Sequence, residues 1–338
     1  MANAVRHLEA WSVNQQVLSR RETGSRSSSG GAAAWAALLV VWVVWGSTYV
    51  AIRVGDRSIP PLAMAAVRYL AAGALLYPIA RLRGGGLRGD RTKAGAAPGR
   101  LRPGAAQWAG MAVVGTLLLA FGNGGLSYAE QTLPVGLAAL LVASVPLWMA
   151  LADFVINGRR LRPAGWAALI AGLAGMAVLA RPHGHATLVP VLIVLGASLS
   201  WGVGSVLAGR LPAPPSPLLG SAMEMLAGGT VLVALAAATG EIKPVHASGA
   251  SLLALLYLVG PGSLLALTCY VIALRRLPVS IVSTYAYVNP VVAVGLGSLL
   301  LGERLTWTTL AGGAVVVGSV ALLLTNRDRR EGHVGESR

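Results

Sequence analysis

Apolar residues fill ten stretches of this chain, and each stretch has about the length that crosses a lipid bilayer. A spanning helix needs about 20 mainly apolar residues, because each residue advances ~1.5 Å through a hydrocarbon layer about 30 Å thick. The pattern therefore predicts an all-α polytopic membrane protein with ten transmembrane helices. The predicted spans are 32–54, 59–80, 106–123, 127–153, 164–180, 188–208, 216–238, 251–274, 277–301 and 306–325.

Residues of the first half recur in the second half at two fixed offsets, which indicates an internal repeat. At an offset of 156 residues the pairs are Trp45 and Trp201, Pro61 and Pro217, Arg68 and Glu224, and Gly73 and Gly229. At an offset of 144 residues they are Pro134 and Pro278, Pro146 and Pro290, and Gly158 and Gly302. The first copy thus carries twelve extra residues in one loop.

Each copy contains five predicted spans, so the second copy must enter the bilayer inverted relative to the first. Inverted repeats are typical of secondary transporters. The predicted organisation is a disordered cytoplasmic tail over 1–31, a first repeat over 32–181, a second repeat over 188–325 and a cytoplasmic tail over 326–338. The first segment has no apolar core of the kind that marks a secretory signal.

Composition and charge fit this arrangement. Hydrophobic residues make up 55% of the 338 residues and charged residues only 12%, which is too little polar surface for a soluble globule. The net charge of +15 would suggest a nucleic-acid partner in a soluble protein. Here, with both termini in the cytoplasm, 21 of the 27 Lys and Arg residues fall on the cytoplasmic side, as the positive-inside rule requires. We therefore expect an inner-membrane location and no nucleic-acid partner.

Two ionisable residues lie near the middle of predicted spans, where a charge is costly and functional roles are common. Arg68 and Glu224 stand about nine residues into the second and seventh spans and are repeat equivalents. One interpretation is a permanent Arg68–Glu224 ion pair, or an Arg68 bound to helix-end carbonyls. The other is that Glu224 binds a proton or a cationic substrate, a role that suits a carboxylate away from water.

Glu130 and Gln131 are predicted to open the fourth helix, after a Gly-rich break over 122–125. An acidic residue in a solvated first turn is a common structural feature, because it complements the helix dipole. The alternative is that Glu130 is an outer-vestibule carboxylate that collects cations or releases protons.

Several aromatic and amide side chains fall within the predicted spans, where they can line a substrate cavity or simply pack between helices. The candidates for substrate binding are Trp45, Tyr49, Asn123, Trp201, Tyr285, Tyr287 and Asn289. Pro146 and Pro290 interrupt the hydrogen-bond ladder of the fourth and ninth spans, so these two helices are the predicted gating elements.

Three stretches resemble the ten-helix EamA-domain branch of the drug/metabolite transporter superfamily. They are residues 45–53, residues 133–140 with Pro146-Leu147, and residues 278–302 with Glu303. The likeness is strongest to YedA-like inner-membrane exporters, through Gly122-Asn123-Gly124, Ala129-Glu130, Glu224-Met225-Leu226 and the run 284–290. It implies two inverted five-helix halves around a central pathway, and relatives that move amino acids, other metabolites or organic cations.

The predicted function is secondary export of such small molecules by alternating access, with proton coupling favoured. The alternatives are an uncoupled facilitator and a translocator of lipid-like substrates. An enzyme is disfavoured, since the spans carry no histidine, no paired-aspartate metal motif and no phosphate loop. No metal or other cofactor is predicted, and the protein is expected to be a monomer or a homodimer in contact with lipid.

Overall fold

The computed structural model describes residues 28–82, 103–158, 163–179, 188–277, 279–282 and 284–335. Every secondary-structure element within these ranges is a helix, which confirms the predicted all-α class. Most of the predicted N-terminal tail and of the 81–105 loop lies outside the described residues.

Ten helical units follow one another along the described chain. They are α1 (Ser28–Gly55), α2 (Pro61–Leu82), α3 (Ala105–Gly115, Thr116–Asn123 and Gly124–Glu130), α4 (Val135–Val142 and Val145–Asn157), α5 (Pro163–Leu179), α6 (Leu188–Ala208), α7 (Pro217–Ala238), α8 (Gly249–Val259, Gly260–Leu265 and Ala266–Arg276), α9 (Val279–Val282 and Tyr285–Leu301) and α10 (Trp307–Gly335).

Seven of the described helices are long and apolar enough to cross a membrane, and α5, α9 and α10 contribute three shorter apolar helices. The protein is therefore a multi-pass membrane protein, whereas a count of ten complete crossings stays a prediction. The backbone of α10 continues to Gly335, so residues 326–335 extend a helix where the sequence predicted a disordered tail.

Glycine ends two of the helices at repeat-equivalent positions. Gly158 follows α4 with φ 65° and Gly302 follows α9 with φ 69°. A side chain would be strained in this left-handed conformation, whereas glycine adopts it freely. The matching helix ends explain why the same residue recurs at an offset of 144 residues.

The predicted boundary between the third and fourth spans is wrong. The structure continues α3 from Ala105 to Glu130 through a π-helical segment, Thr116–Asn123, and begins α4 only at Val135. The glycines of this stretch serve close packing and do not break the helix. A Cβ at Gly122 would lie 2.9 Å from the ring of Trp201, and one at Gly124 would lie 2.6 Å from Leu232.

Glycines also let the two halves approach each other through reciprocal contacts. A Cβ at Gly73 on α2 would lie 3.0 Å from Leu226 on α7, and a Cβ at Gly229 on α7 would lie 2.9 Å from Leu70 on α2. These two contacts exchange with each other at the offset of 156 residues. A two-fold axis that relates the halves produces such an exchange of contacts. The inversion of the second half stays a prediction.

We expect the α1–α2, α3–α4, α7–α8 and α9–α10 connections to face outward, and we call this the outer end. Cysteines at Ser28 and Gly86, in a Cys269→Ser background, should resist an impermeant thiol reagent in intact cells and react after lysis. A cysteine at the exposed Lys243 is the matched control and should react in intact cells. Labelling of the Gly86 variant in intact cells would reverse the topology.

Candidate functional site

An aromatic cluster joins α1, α8 and α9 in the interior of the bundle. The ring centroids of Trp45 and Tyr285 are 5.3 Å apart, and Tyr270 lies 5.2 Å from Trp45 and 5.8 Å from Tyr285. The structure thus brings two of the predicted site residues together and adds Tyr270, which the sequence did not single out. Such a cluster offers apolar faces and two hydroxyl groups to an organic molecule.

The other predicted aromatic residues lie elsewhere. Tyr49 is buried in a hydrophobic cluster that contains many residues of α4. It lies one helical turn from Trp45. Trp201 lies against the backbone of Gly122. Tyr287 packs on the cluster around Leu147. Tyr49 lies on the same face of α1 as Trp45, four residues after it. Trp201 and Tyr287 belong to α6 and α9.

The two predicted asparagines differ in their surroundings. Asn289, on α9, is buried, and its Oδ1 atom has no hydrogen-bond partner in the described part of the chain. Asn123 is half-buried at the end of the π-helical segment of α3. A buried amide oxygen without a donor is costly, so Asn289 has an acceptor available to a ligand.

Arg68 is held by groups other than Glu224. Its Nε donates to Ser263 Oγ on α8 at 3.0 Å, and its guanidinium lies 4.9 Å from the ring centroid of Tyr69. Ser263 in turn donates to the carbonyl of Leu258 at 2.8 Å. An Arg68–Glu224 ion pair was one interpretation of the sequence. The structure of the described residues contains no such pair.

Glu224 is half-buried on α7. Its backbone touches Gly115 of α3 so closely that a Cβ at Gly115 would overlap the Glu224 carbonyl oxygen. Among the described residues, no side chain forms a hydrogen bond or an ion pair with its carboxylate. This carboxylate therefore has no fixed partner within the described part of the chain.

Glu130 does not begin a solvated helix. It is the last residue of α3, it is 0% exposed, and neither carboxylate oxygen has a hydrogen-bond partner among the residues that the structure describes. The Arg53 guanidinium donates to the backbone carbonyl of Glu130 and not to its carboxylate. The misplaced helix boundary accounts for the error, because it put Glu130 in a first turn instead of inside the bundle.

Asp56 is a candidate site residue that the sequence analysis missed. It lines a cavity of about 410 Å³ at the outer end, together with Tyr128 and Gln131, yet both of its carboxylate oxygens are buried and have no hydrogen-bond partner among the described residues. Burial raises the pKa of Asp56 to about 8, against the opposing effect of Arg53. Its position directly after α1, eleven residues or about three helical turns from Trp45, was the available signal.

Two glutamates of the second half cap helices of the first half at the same end. Glu241 Oε2 accepts from the backbone N–H groups of Leu62 and Ala63 at 2.8 and 3.1 Å. Glu303 accepts from Val135 and Gly136 at 2.6 and 3.0 Å. Carboxylates stabilise helix N-termini by charge and hydrogen bonding. These contacts therefore join the two halves at the outer end.

The helix breaks lie close to the predicted gating prolines but not at them. In α4 the break falls at Ala143–Ser144, where Ser144 Oγ donates to the Leu141 carbonyl at 2.6 Å and accepts from Trp148 Nε1 at 3.1 Å. In α9, Thr284 Oγ1 donates to Ile281 at 2.6 Å and accepts from Trp42 at 3.2 Å. A hydroxyl and an indole therefore satisfy polar groups at each interruption.

The prolines themselves take different positions, which corrects the expectation that both interrupt a helix. Pro146 lies in the first turn of Val145–Asn157, where a backbone N–H has no intrahelical acceptor. Pro290 lies inside Tyr285–Leu301 and removes a ladder hydrogen bond.

We expect Pro290→Ala to slow substrate turnover with little change in binding, because it restores that hydrogen bond and stiffens α9. Pro146→Ala is the matched control and should leave turnover unchanged. Initial rates and substrate affinities in liposomes measure both effects. Normal turnover in the Pro290 variant would leave Pro290 with a packing role alone.

The EamA-like transporter family profile matches residues 32–181 and, separately, residues 188–325. The chain belongs to the EamA-like transporter family. It is 40% identical over 294 residues to the "Uncharacterized inner membrane transporter YedA" of Escherichia coli (strain K12), across 85% of this chain and 89% of that protein. This EamA-like protein is therefore a multi-pass transporter of the cytoplasmic membrane, as the resemblance implied.

More distant relatives of this EamA-like protein cover most of its length. A "Probable terminal-alkyne amino-acid exporter" of Streptantibioticus cattleyicolor is 29% identical over 86% of this chain and 93% of that protein. A "Probable amino-acid metabolite efflux pump" of Salmonella typhimurium is 27% identical over 84% and 92%. One crystal structure matches with a TM-score of 0.56 and 23% identity, over 90% of this chain and all of that one, which supports the fold alone.

Proposed function

We propose that this transporter exports small metabolites, with amino acids and their derivatives as the first class to test, and that inward proton flow drives export. The names of two relatives, an amino-acid metabolite efflux pump and a terminal-alkyne amino-acid exporter, support this substrate class. The substrate crosses the membrane by alternating access and is not chemically changed.

The unpaired carboxylate of Glu224 carries the proposal. A carboxylate that leaves water without a partner costs far more free energy when it is charged than when a proton or a cation neutralises it. Arg68 does not supply this neutralisation, because Ser263 and Tyr69 hold its guanidinium. Glu224 is therefore available to bind a proton and a cationic group of the substrate in alternation.

The aromatic cluster is the proposed apolar part of the substrate site. Trp45 and Tyr285 supply its walls from the first and second halves, and Asn289 offers an unsatisfied oxygen on the same helix as Tyr285. The amino group of an amino acid can donate to such an oxygen, while a hydrophobic side chain contacts the rings. Asn123 in the first half and Trp201 in the second half stay predicted contacts.

The proposed function is tested by flux in liposomes that contain the purified protein. The inside-to-outside movement of radiolabelled amino acids and of one lipophilic organic cation is followed with and without an imposed proton gradient. Acceleration by the gradient, abolished by a protonophore, is the expected result. Equal flux under both conditions would replace the exporter with an uncoupled facilitator, and movement only of fluorescent phospholipids would replace it with a lipid translocator.

A further inference from the structure

We propose that Asp56 and Glu130 together hold one exchangeable proton at the outer end of the bundle. The two residues come from different parts of the chain, since Asp56 directly follows α1 and Glu130 ends α3. The outer cavity reaches Asp56 and the neighbours of Glu130, Tyr128 and Gln131. Glu130 itself is fully buried behind this wall, so a proton from the outside meets Asp56 first.

The surroundings of the two side chains support protonation of this pair. All four carboxylate oxygens of Asp56 and Glu130 are buried and lack a hydrogen-bond partner within the described part of the chain. Leaving such groups charged and unpaired is strongly unfavourable. One bound proton removes one of the two negative charges.

Charged groups of both signs surround this site. The titratable and charged groups that act on the pair from the packed elements are Tyr49 and Arg53 on α1, Arg68 on α2, Glu241 in the α7–α8 connection and Glu303 after α9. Arg57 and Lys243 line the outer cavity together with Asp56. Glu241 and Glu303 cap helix N-termini, and Arg68 binds Ser263. Arg53 is the cation that acts on both carboxylates.

Arg53 does not pair with either carboxylate. Neither one forms an ion pair with it among the described residues, because its guanidinium donates to the Glu130 carbonyl. A metal ion would need several oxygen ligands, and that carbonyl is already occupied while Arg53 repels a second cation. The proton is therefore the favoured ligand over an alkali metal ion.

The site also adjoins a face of α1 that leads inward. Arg53, Tyr49 and Trp45 lie on one side of α1 at spacings of four residues, and Asp56 follows directly after the helix, three residues from Arg53. Trp45 belongs to the aromatic cluster that we propose as the substrate site. The use of this proton in export rests on the proposed function, whereas its binding does not.

Infrared difference spectra of the purified transporter between pH 6 and pH 9.5, without substrate, test the proposal directly. The wild type should lose the protonated carboxyl band of this pair as the pH rises, because the pKa of Asp56 is about 8. Asp56→Asn and Glu130→Gln should each abolish this change or shift its midpoint by more than about one pH unit, as expected for a coupled pair. Asp153→Asn is the control, since Asn157 donates to Asp153.

Protein stability gives a second readout for variants that fold. The folded protein keeps the proton up to about pH 8, while the unfolded chain releases it near the ordinary value of 3.8. The unfolding equilibrium constant should therefore rise by about tenfold per pH unit between these values, through this proton, and level off above them. Asp56→Asn should lose this dependence, and Glu130→Asp should retain it.

Each outcome separates the proton site from the proposed function. A wild-type band change that persists unaltered in Asp56→Asn and Glu130→Gln overturns the proton site, whatever the flux results. Stabilisation by NaCl at pH 9.5 that both variants lose would also overturn it and assign an alkali metal ion. A normal band change without any gradient-driven flux would retain the site and reject proton-coupled export.

Discussion

Glu224→Gln should lower proton-driven export by more than about tenfold while the protein still reaches the membrane. The substitution keeps the shape of the side chain and removes its charge, so proton and substrate can no longer compete for one carboxylate. Coupling free energies between sites are typically about 1–3 kcal/mol, or about 5–150-fold. Initial efflux rates in liposomes under a fixed proton gradient measure the loss.

Arg68→Gln/Glu224→Gln separates this role from a structural one. If Glu224 only balanced Arg68, neutralising both residues would restore activity, because neither charge would be left unpaired. The structure places Arg68 on Ser263, so we expect the double variant to stay inactive. Recovery of gradient-driven efflux in the double variant would reject Glu224 as the coupling group.

Gly115→Ala should destabilise the transporter and lower its thermal unfolding midpoint. The added Cβ would overlap the carbonyl oxygen of Glu224, and a Cβ at Gly228 would lie 2.5 Å from the carbonyl oxygen of Gly115. The backbones of α3 and α7 cannot rotate away as a flexible side chain would. The two helices must therefore move apart. Overpacking of this kind typically costs about 1–3 kcal/mol, measured by thermal unfolding in detergent.

Gly196→Ala is the matched control for this prediction. Gly196 lies on α6, and a Cβ there meets nothing within 4 Å. Alanine is favoured over glycine in a helix by about 1 kcal/mol, so this variant should be as stable as the wild type or slightly more stable. Equal stability of the two alanine variants would show that the α3–α7 contact tolerates a methyl group.

Local patterns in the sequence account for most of the described fold. Runs of about 20 apolar residues predicted the helices, since the bilayer thickness fixes how long such a run must be. The sequence also showed Gly158 and Gly302 as a repeat pair, and the structure gives the reason, because only glycine fits these left-handed helix ends without strain. The α3–α4 boundary failed, since close packing on Trp201 makes Gly122 compatible with a continuous helix.

The candidate site was only partly predictable from the sequence. Trp45 and Tyr285 were predicted as cavity residues, and the structure places them together. Tyr270 and Asp56 were missed, since nothing local distinguishes an aromatic in a cluster from an aromatic in ordinary packing. Tyr287 shows the opposite outcome, because it lies two residues from Tyr285 and packs on a different cluster.

The sequence by itself determined the helical class, the location of the helices and the family, because hydropathy and motif spacing are properties of consecutive residues. Only the tertiary structure decided which partners the buried charges have. Arg68 and Glu224 occupy equivalent positions in the two halves, yet Arg68 bonds to Ser263 on α8 and Glu224 stays unpaired. The direction of a side chain and the identity of the neighbouring helix set such a partner, and both depend on how distant segments pack.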